Sequence, residues 1–136
     1  MKRNDLIINP TGKAIRSDDA GSGDYGAPRG SRIHKGIDFI CTPGQKVYCP
    51  INNAFIVRKA YPYRDMSYNG LLIKNELMEV MMFYLLPTED IIGTVLGQND
   101  VLGVAEDISA RYVTPMIPHI HLEIVSIDPK LFMQGD

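Results

Sequence analysis

The chain has 136 residues, 45% of them hydrophobic and 22% charged, with a net charge of −2. That length and balance suit one domain, residues 1–136, that buries its own core, and they exclude a disordered chain. No basic block is present, which argues against non-specific binding to nucleic acid or an anionic membrane, and no apolar stretch approaches transmembrane length.

Taken in chain order, the opening ten residues carry charge, and their apolar part, Leu6 to Ile8, is too short for an export core. Synthesis in the cytosol without a signal peptide is expected, which tilts toward a protein delivered by a phage particle. Residues 1–31 read as an arm and loops. Residues 17–24 have no apolar period and read as a solvated loop rather than a rim of a cleft. Nine Pro and twelve Gly cut the chain into short pieces, as in an all-β protein with many turns. Strands are predicted at 37–41, 45–50, 54–61, 70–75, 80–86, 101–105 and 119–126, and together they predict a compact antiparallel β-sheet domain, mainly β. Residues 88–97 begin with Glu-Asp and read as one helical turn. Met78, Met81 and Met82 read as core filler. Cys41 and Cys49 flank a Thr-Pro-Gly-Gln turn. Two cysteines are no disulfide framework, so both are expected as buried free thiols.

All three histidines fall into two clusters, His34-x-x-x-Asp38 and His119-x-His121. Two imidazoles and a carboxylate with a fourth position open make the ligand count of a catalytic zinc site. On a strand, His119 and His121 share a face about 6.7 Å apart, with Ile120, Leu122 and Ile124 on the other. His34 and Asp38 would lie about 13 Å apart on a straight strand, so a bend between them is needed, and Gly36 supplies the backbone freedom for it. A lone H-x-H is more often a pair of ordinary half-buried histidines, and the added His34 and Asp38 bring the metal reading level with that one. Arg32 reads equally as a contact for a substrate carboxylate or as the partner of a local acid. Glu123 shares the His121 face, and reads equally as a carboxylate orienting an imidazole N–H or as an exposed one. Tyr84 and Tyr112 are the phenols able to polarise a carbonyl; Tyr112 sits in a loop just before the H-x-H strand.

Over residues 14–133 the chain resembles the LytM/lysostaphin-type zinc metallopeptidase family. The resemblance runs in order through Arg32-x-His34-x-Gly36-Ile-Asp38, Thr42-Pro-Gly44-x-x-Val47, Asn69-Gly70, Met82-Phe-Tyr84, Val101-Leu-Gly103 and His119-x-His121-x-Glu123. It implies the family's β-rich (duplicated hybrid motif-like) fold with loops around a zinc cleft. It also implies one zinc ion per chain held by His34, Asp38 and His121, with His119 as the catalytic histidine. Active members carry a second catalytic histidine two positions after the central-strand Tyr, where this chain has Leu86. The stretches 14–18, 24–27, 59–63 and 82–87 are similar to the chemotaxin-type animal branch of the fold, whose members are secreted, bind zinc and are regarded as non-peptidases. The resemblance therefore implies a zinc-binding, peptidoglycan endopeptidase-like domain at the cell wall with weak or absent peptidase activity. Its cleft would take a peptidoglycan peptide or a protein ligand. The alternatives are an active cell-wall lytic enzyme of a phage or delivered particle, and a structural or protein-binding module that reuses the fold.

Overall fold

In the computed structural model, residues 6–18, 20–29, 32–33 and 35–133 are described, with residues 28, 29, 32, 33, 131 and 132 described by backbone alone. Two short hairpins come first, β1 (Ser17–Asp18) with β2 (Gly21–Ser22), and β3 (Pro28–Arg29) with β4 (Arg32–Ile33). The main strands are β5 (Ile37–Ile40), β6 (Lys46–Tyr48), β7 (Ala54–Ala60), β8 (Gly70–Lys74), β9 (Met78–Phe83), β10 (Leu85–Pro87), β11 (Val95–Leu96), β12 (Val101–Ala105) and β13 (His119–Ile127). A six-stranded antiparallel sheet runs in the order β11-β7-β8-β9-β13-β5, and a three-stranded one in the order β10-β12-β6.

Alternation explains why these segments are strands. In β9, Met78, Val80 and Met82 are buried while Glu79, Met81 and Phe83 turn the other way. Val47, Ile56, Leu71, Ile73, Val80, Met82, Leu85, Leu102 and Ile120 lose all solvent contact and form one core drawing on both sheets. Each such side chain contributes about 1.5–3 kcal/mol of burial. Cys41 and Cys49 are free, buried thiols, and burial, the main cause, pushes both up to about 11.

Three expectations change. Residues 88–97 form no helix: Asp90 and Gly93 take left-handed φ of 62° and 85°, which a helix cannot accommodate, and Val95–Leu96 pairs with β7 instead. The strand expected at 80–86 breaks at Tyr84, whose φ is 75°. Its N–H donates to the Asn69 carbonyl at 2.8 Å, and its carbonyl accepts from Glu106 N–H at 2.9 Å. The third change concerns 17–24, which is not wholly a solvated loop. Ser17 and Asp24 are exposed, but the Asp18 carboxyl is only 7% exposed, because it pairs with buried Arg16. A 3-10 turn at Ile108–Arg111 and a short helix at Lys130–Met133 have no counterpart in the sequence expectations.

Candidate functional site

Strand pairing brings the two sequence clusters together. In β13, Ile120 and Leu122 face the core, so His119, His121 and Glu123 face the opposite side. On one flank His121 lies directly opposite Asp38 of β5, and on the other opposite Phe83 of β9. Phe83 stacks on the imidazole, centroids 5.8 Å apart and planes 17° from parallel. His121 Nδ1 lies 2.9 Å from Asp38 Oδ1, and its Nε2 lies 2.8 Å from Glu123 Oε1. Carboxylates only accept, so both ring nitrogens carry protons in these contacts. Burial pulls the His121 pKa down, but the Asp38 hydrogen bond and charge, with those of Glu123, outweigh it and hold the pKa above the ordinary value.

His119 is in the opposite state. Its Nδ1 lies 2.9 Å from the Ile117 carbonyl, which can only accept, so Nδ1 holds the proton and Nε2 carries a lone pair. That lone pair sits 3.5 Å from Asp38 Oδ2. Burial lowers the His119 pKa and outweighs the raising effect of Asp38 and the carbonyl. The two imidazoles on one strand are thus shifted in opposite directions, His121 upward by its two carboxylates and His119 downward by burial.

Gly36 lets β5 lie close against β13 at this site. It is absent from the residues with positive φ. A Cβ there would lie 2.4 Å from the Leu122 carbonyl oxygen and 2.8–2.9 Å from two atoms of the His121 ring. The position needs space rather than unusual backbone angles.

A residue that sequence reasoning passed over lies underneath. Arg16 is 2% exposed and places Nε and Nη2 at 3.3 and 3.2 Å from Asp38 Oδ2. Its Nη1 donates to Asp18 Oδ1 at 2.7 Å and to the Gly21 carbonyl at 3.2 Å. Asp18 Oδ2 accepts from Ile117 N–H at 2.7 Å. Burial raises the Asp18 pKa, but the Ile117, Arg16 and Ala20 donors overcome it and the net shift is downward. The signal for Arg16 was only an Arg-x-Asp spacing in a polar stretch.

The remaining expected residues divide. Tyr84 packs edge-on against His119 with centroids 5.3 Å apart, and it stacks with Tyr63 and meets Tyr68 edge-to-face. The Tyr112 hydroxyl contacts that of Tyr63, and Arg111 lies 3.6 Å over the Tyr63 ring. Burial, ahead of mutual contacts, pushes Tyr63, Tyr84 and Tyr112 up to about 12. Leu86 is on β10 opposite Val104 and is 52% exposed. His34 and the side chain of Arg32 lie outside the described residues.

Among the described residues no group of three His, Cys, Asp or Glu side chains could hold a metal ion. The donor chemistry at β5 and β13 nonetheless suits zinc. An imidazole nitrogen and a carboxylate oxygen face each other at 2.9 Å. Two donors on one tetrahedral zinc lie roughly 3.3 Å apart, so a small opening would admit the ion once a third donor joined.

Comparison with known proteins follows this geometry. Leukocyte cell-derived chemotaxin-2 of Mus musculus is 35% identical over 133 residues, spanning 94% of this chain and 85% of that protein. The chain belongs to the leukocyte cell-derived chemotaxin-2 family. The Bos taurus chemotaxin-2 is 29% identical over 132 residues with the same coverage. The catalytic domain of the antimicrobial peptidase lysostaphin from Staphylococcus simulans shares the fold, with a TM-score of 0.56 at 20% identity. The likeness covers 90% of this chain and 93% of that one. The chemotaxin-2 family fold is thus of the LytM/lysostaphin type, and in this member it is mainly antiparallel β. No protein-family model matches the chain. Among the described residues no helix is long and apolar enough to cross a membrane.

Proposed function

We propose that the chain is a zinc-binding, peptidoglycan endopeptidase-like domain that holds cell-wall peptide in its cleft and cleaves it very slowly or not at all. The observation that carries this reading is the convergence of His121 Nδ1 and Asp38 Oδ1 at 2.9 Å, with Glu123 on His121 Nε2 and His119 beside them on the same strand face. His34, Asp38 and His121 would hold one zinc ion. Such an ion supplies a Lewis acid for a peptide carbonyl and acidifies water.

The chain's own groups then do the following. Glu123 accepts the Nε2 proton of His121, which fixes the ring and leaves Nδ1 as the ligating atom. His119 offers a lone pair at Nε2 and, with its depressed pKa, is neutral near pH 7, so it can take a proton from water. Phe83 packs against the His121 ring and Tyr84 against that of His119, which limits water at both. Leu86 offers neither a proton nor a hydrogen bond where active relatives of the fold carry a histidine, so a tetrahedral oxyanion lacks that donor.

The test is elemental analysis and muropeptide digestion on the same preparation. One zinc per wild-type chain is expected, lost in Asp38→Ala and in His34→Ala, with wild-type amide cleavage near the Asp38→Ala blank. Full zinc retention in both variants would remove the metal assignment. Robust wild-type turnover would replace the weak-enzyme reading with an active one and turn attention to Tyr84 or Tyr112.

A further inference from the structure

Arg16 meets Asp38 in an unusual way. A guanidinium facing a carboxylate commonly pairs two N–H groups with two oxygens. Here Nε and Nη2 both converge on one oxygen, Oδ2, at 3.3 and 3.2 Å. The other oxygen, Oδ1, is turned to His121 Nδ1 at 2.9 Å. Oδ2 thus takes both guanidinium contacts, with His119 Nε2 further off at 3.5 Å, while Oδ1 faces the His121 imidazole.

The guanidinium is itself fixed. Nη1 is tied to Asp18 Oδ1 and the Gly21 carbonyl, and Asp18 Oδ1 also accepts from Ala20 N–H at 2.8 Å. Arg16 and Asp38 are both 2% exposed, so neither is free to rotate into water. The backbones run together as well, with Arg16 N–H donating to the Asp38 carbonyl at 2.8 Å. The same Asp18 reaches the Ile117 N–H at 2.7 Å, and the Ile117 carbonyl holds His119 Nδ1. One buried cation thus sets both the Asp38 carboxylate and, through Asp18, the approach to His119.

We propose that Arg16 is a positioning residue that makes Asp38 a one-oxygen metal ligand, reserving Oδ2 for its own guanidinium. This rests on the zinc reading above. A carboxylate restricted to one oxygen keeps the ion at three protein donor atoms with one position open, whereas release of Oδ2 lets the carboxylate close on the ion with both oxygens and crowd that position. Lys in place of Arg keeps the buried charge but has no planar fork to hold Oδ2 from the side.

The experiment loads full-length wild type and Arg16→Lys with Co2+ and records visible absorption, with X-ray absorption of the zinc-loaded forms alongside. Wild type is expected to give the intense bands of four-coordinate cobalt. Arg16→Lys is expected to lose band intensity, and its zinc coordination number to rise from about four to about five. A variant that melts earlier but keeps the wild-type spectrum and coordination number overturns the proposal and leaves Arg16 a structural ion pair. If Arg16→Lys does not fold, a crystal structure of zinc-loaded wild type decides: Oδ2 still on Nε and Nη2 with Oδ1 alone on zinc supports the proposal, and both oxygens on zinc overturn it. Failure of wild type to take up either metal overturns it together with the zinc reading, whereas metal uptake with an unchanged variant overturns it alone.

Discussion

The surroundings of His119 fall into two walls of different character. On β5 and β13, Asp38, His121 and Glu123 join with Arg16 and Asp18 beneath them in one continuous set of short contacts. On the other side stand Tyr63, Tyr68, Tyr84 and Tyr112, with Leu86 two residues beyond Tyr84. The first wall is charged, buried and rigid, as ion binding requires. The second is phenolic and apolar, and burial pushes Tyr63, Tyr84 and Tyr112 up to about 12, so at neutral pH it offers hydroxyls and no base. Under the proposed function the zinc donors and His119 share the first wall, whereas Leu86, at the position of the second catalytic histidine, lies apart on the second.

That separation can be broken from either side. The largest expected effect is from Asp38→Ala. It removes a proposed zinc donor and strips a carboxylate from buried Arg16, so zinc content should fall to background and stability by about 3–5 kcal/mol, read by elemental analysis and thermal melting. Next is Leu86→His on the other wall. Restoring a proton-transfer or oxyanion group there should raise muropeptide cleavage by about 10²-fold or more with zinc content unchanged; a rise in zinc affinity instead would show that the walls are not independent. Glu123→Ala should weaken zinc by about 10–100-fold through the freed imidazole while hardly altering the melting temperature, because its side chain is 27% exposed. The smallest effect belongs to Tyr63→Phe. Loss of the hydroxyl that meets Tyr112 should cost about 1 kcal/mol and leave zinc content as it was, measured by denaturant titration with metal analysis in parallel.

The same division describes what could be read from the sequence. The period of two in β13 put His119, His121 and Glu123 on one face and Ile120 and Leu122 on the other, because alternation is local and needs no partner strand. Most strands were legible for that reason. The Asp38–His121 pair followed only from a likeness in motif order, since its two residues stand 83 positions apart and pairing register is a property of the finished sheet. Arg16 and Asp18 were hidden because a polar stretch reads as solvated until its charges are seen to neutralise each other underground. Gly36 was singled out for a bend toward His34, which lies outside the described residues, and the contact that forbids a Cβ there comes from β13. Residues 88–97 carried an acidic start like that of a helix, yet the left-handed backbone at Asp90 and Gly93 is decided by how β11 returns to β7.

The distance along the chain between β5 and β13 has a consequence for biogenesis. Asp38 leaves the ribosome 83 residues ahead of His121. During synthesis the nascent chain holds an unpaired β5 edge and one half of a charge network, with the closing strand still in the tunnel or untranslated. Pairing over such a separation is slow to nucleate, and an exposed strand edge is open to wrong partners in the meantime. Under the zinc reading the third donor, His121, is not yet made in that interval, so His34 and Asp38 alone would have to hold the ion. A product lacking β13 would carry neither His119 and His121 nor the strand that joins β5 to β9.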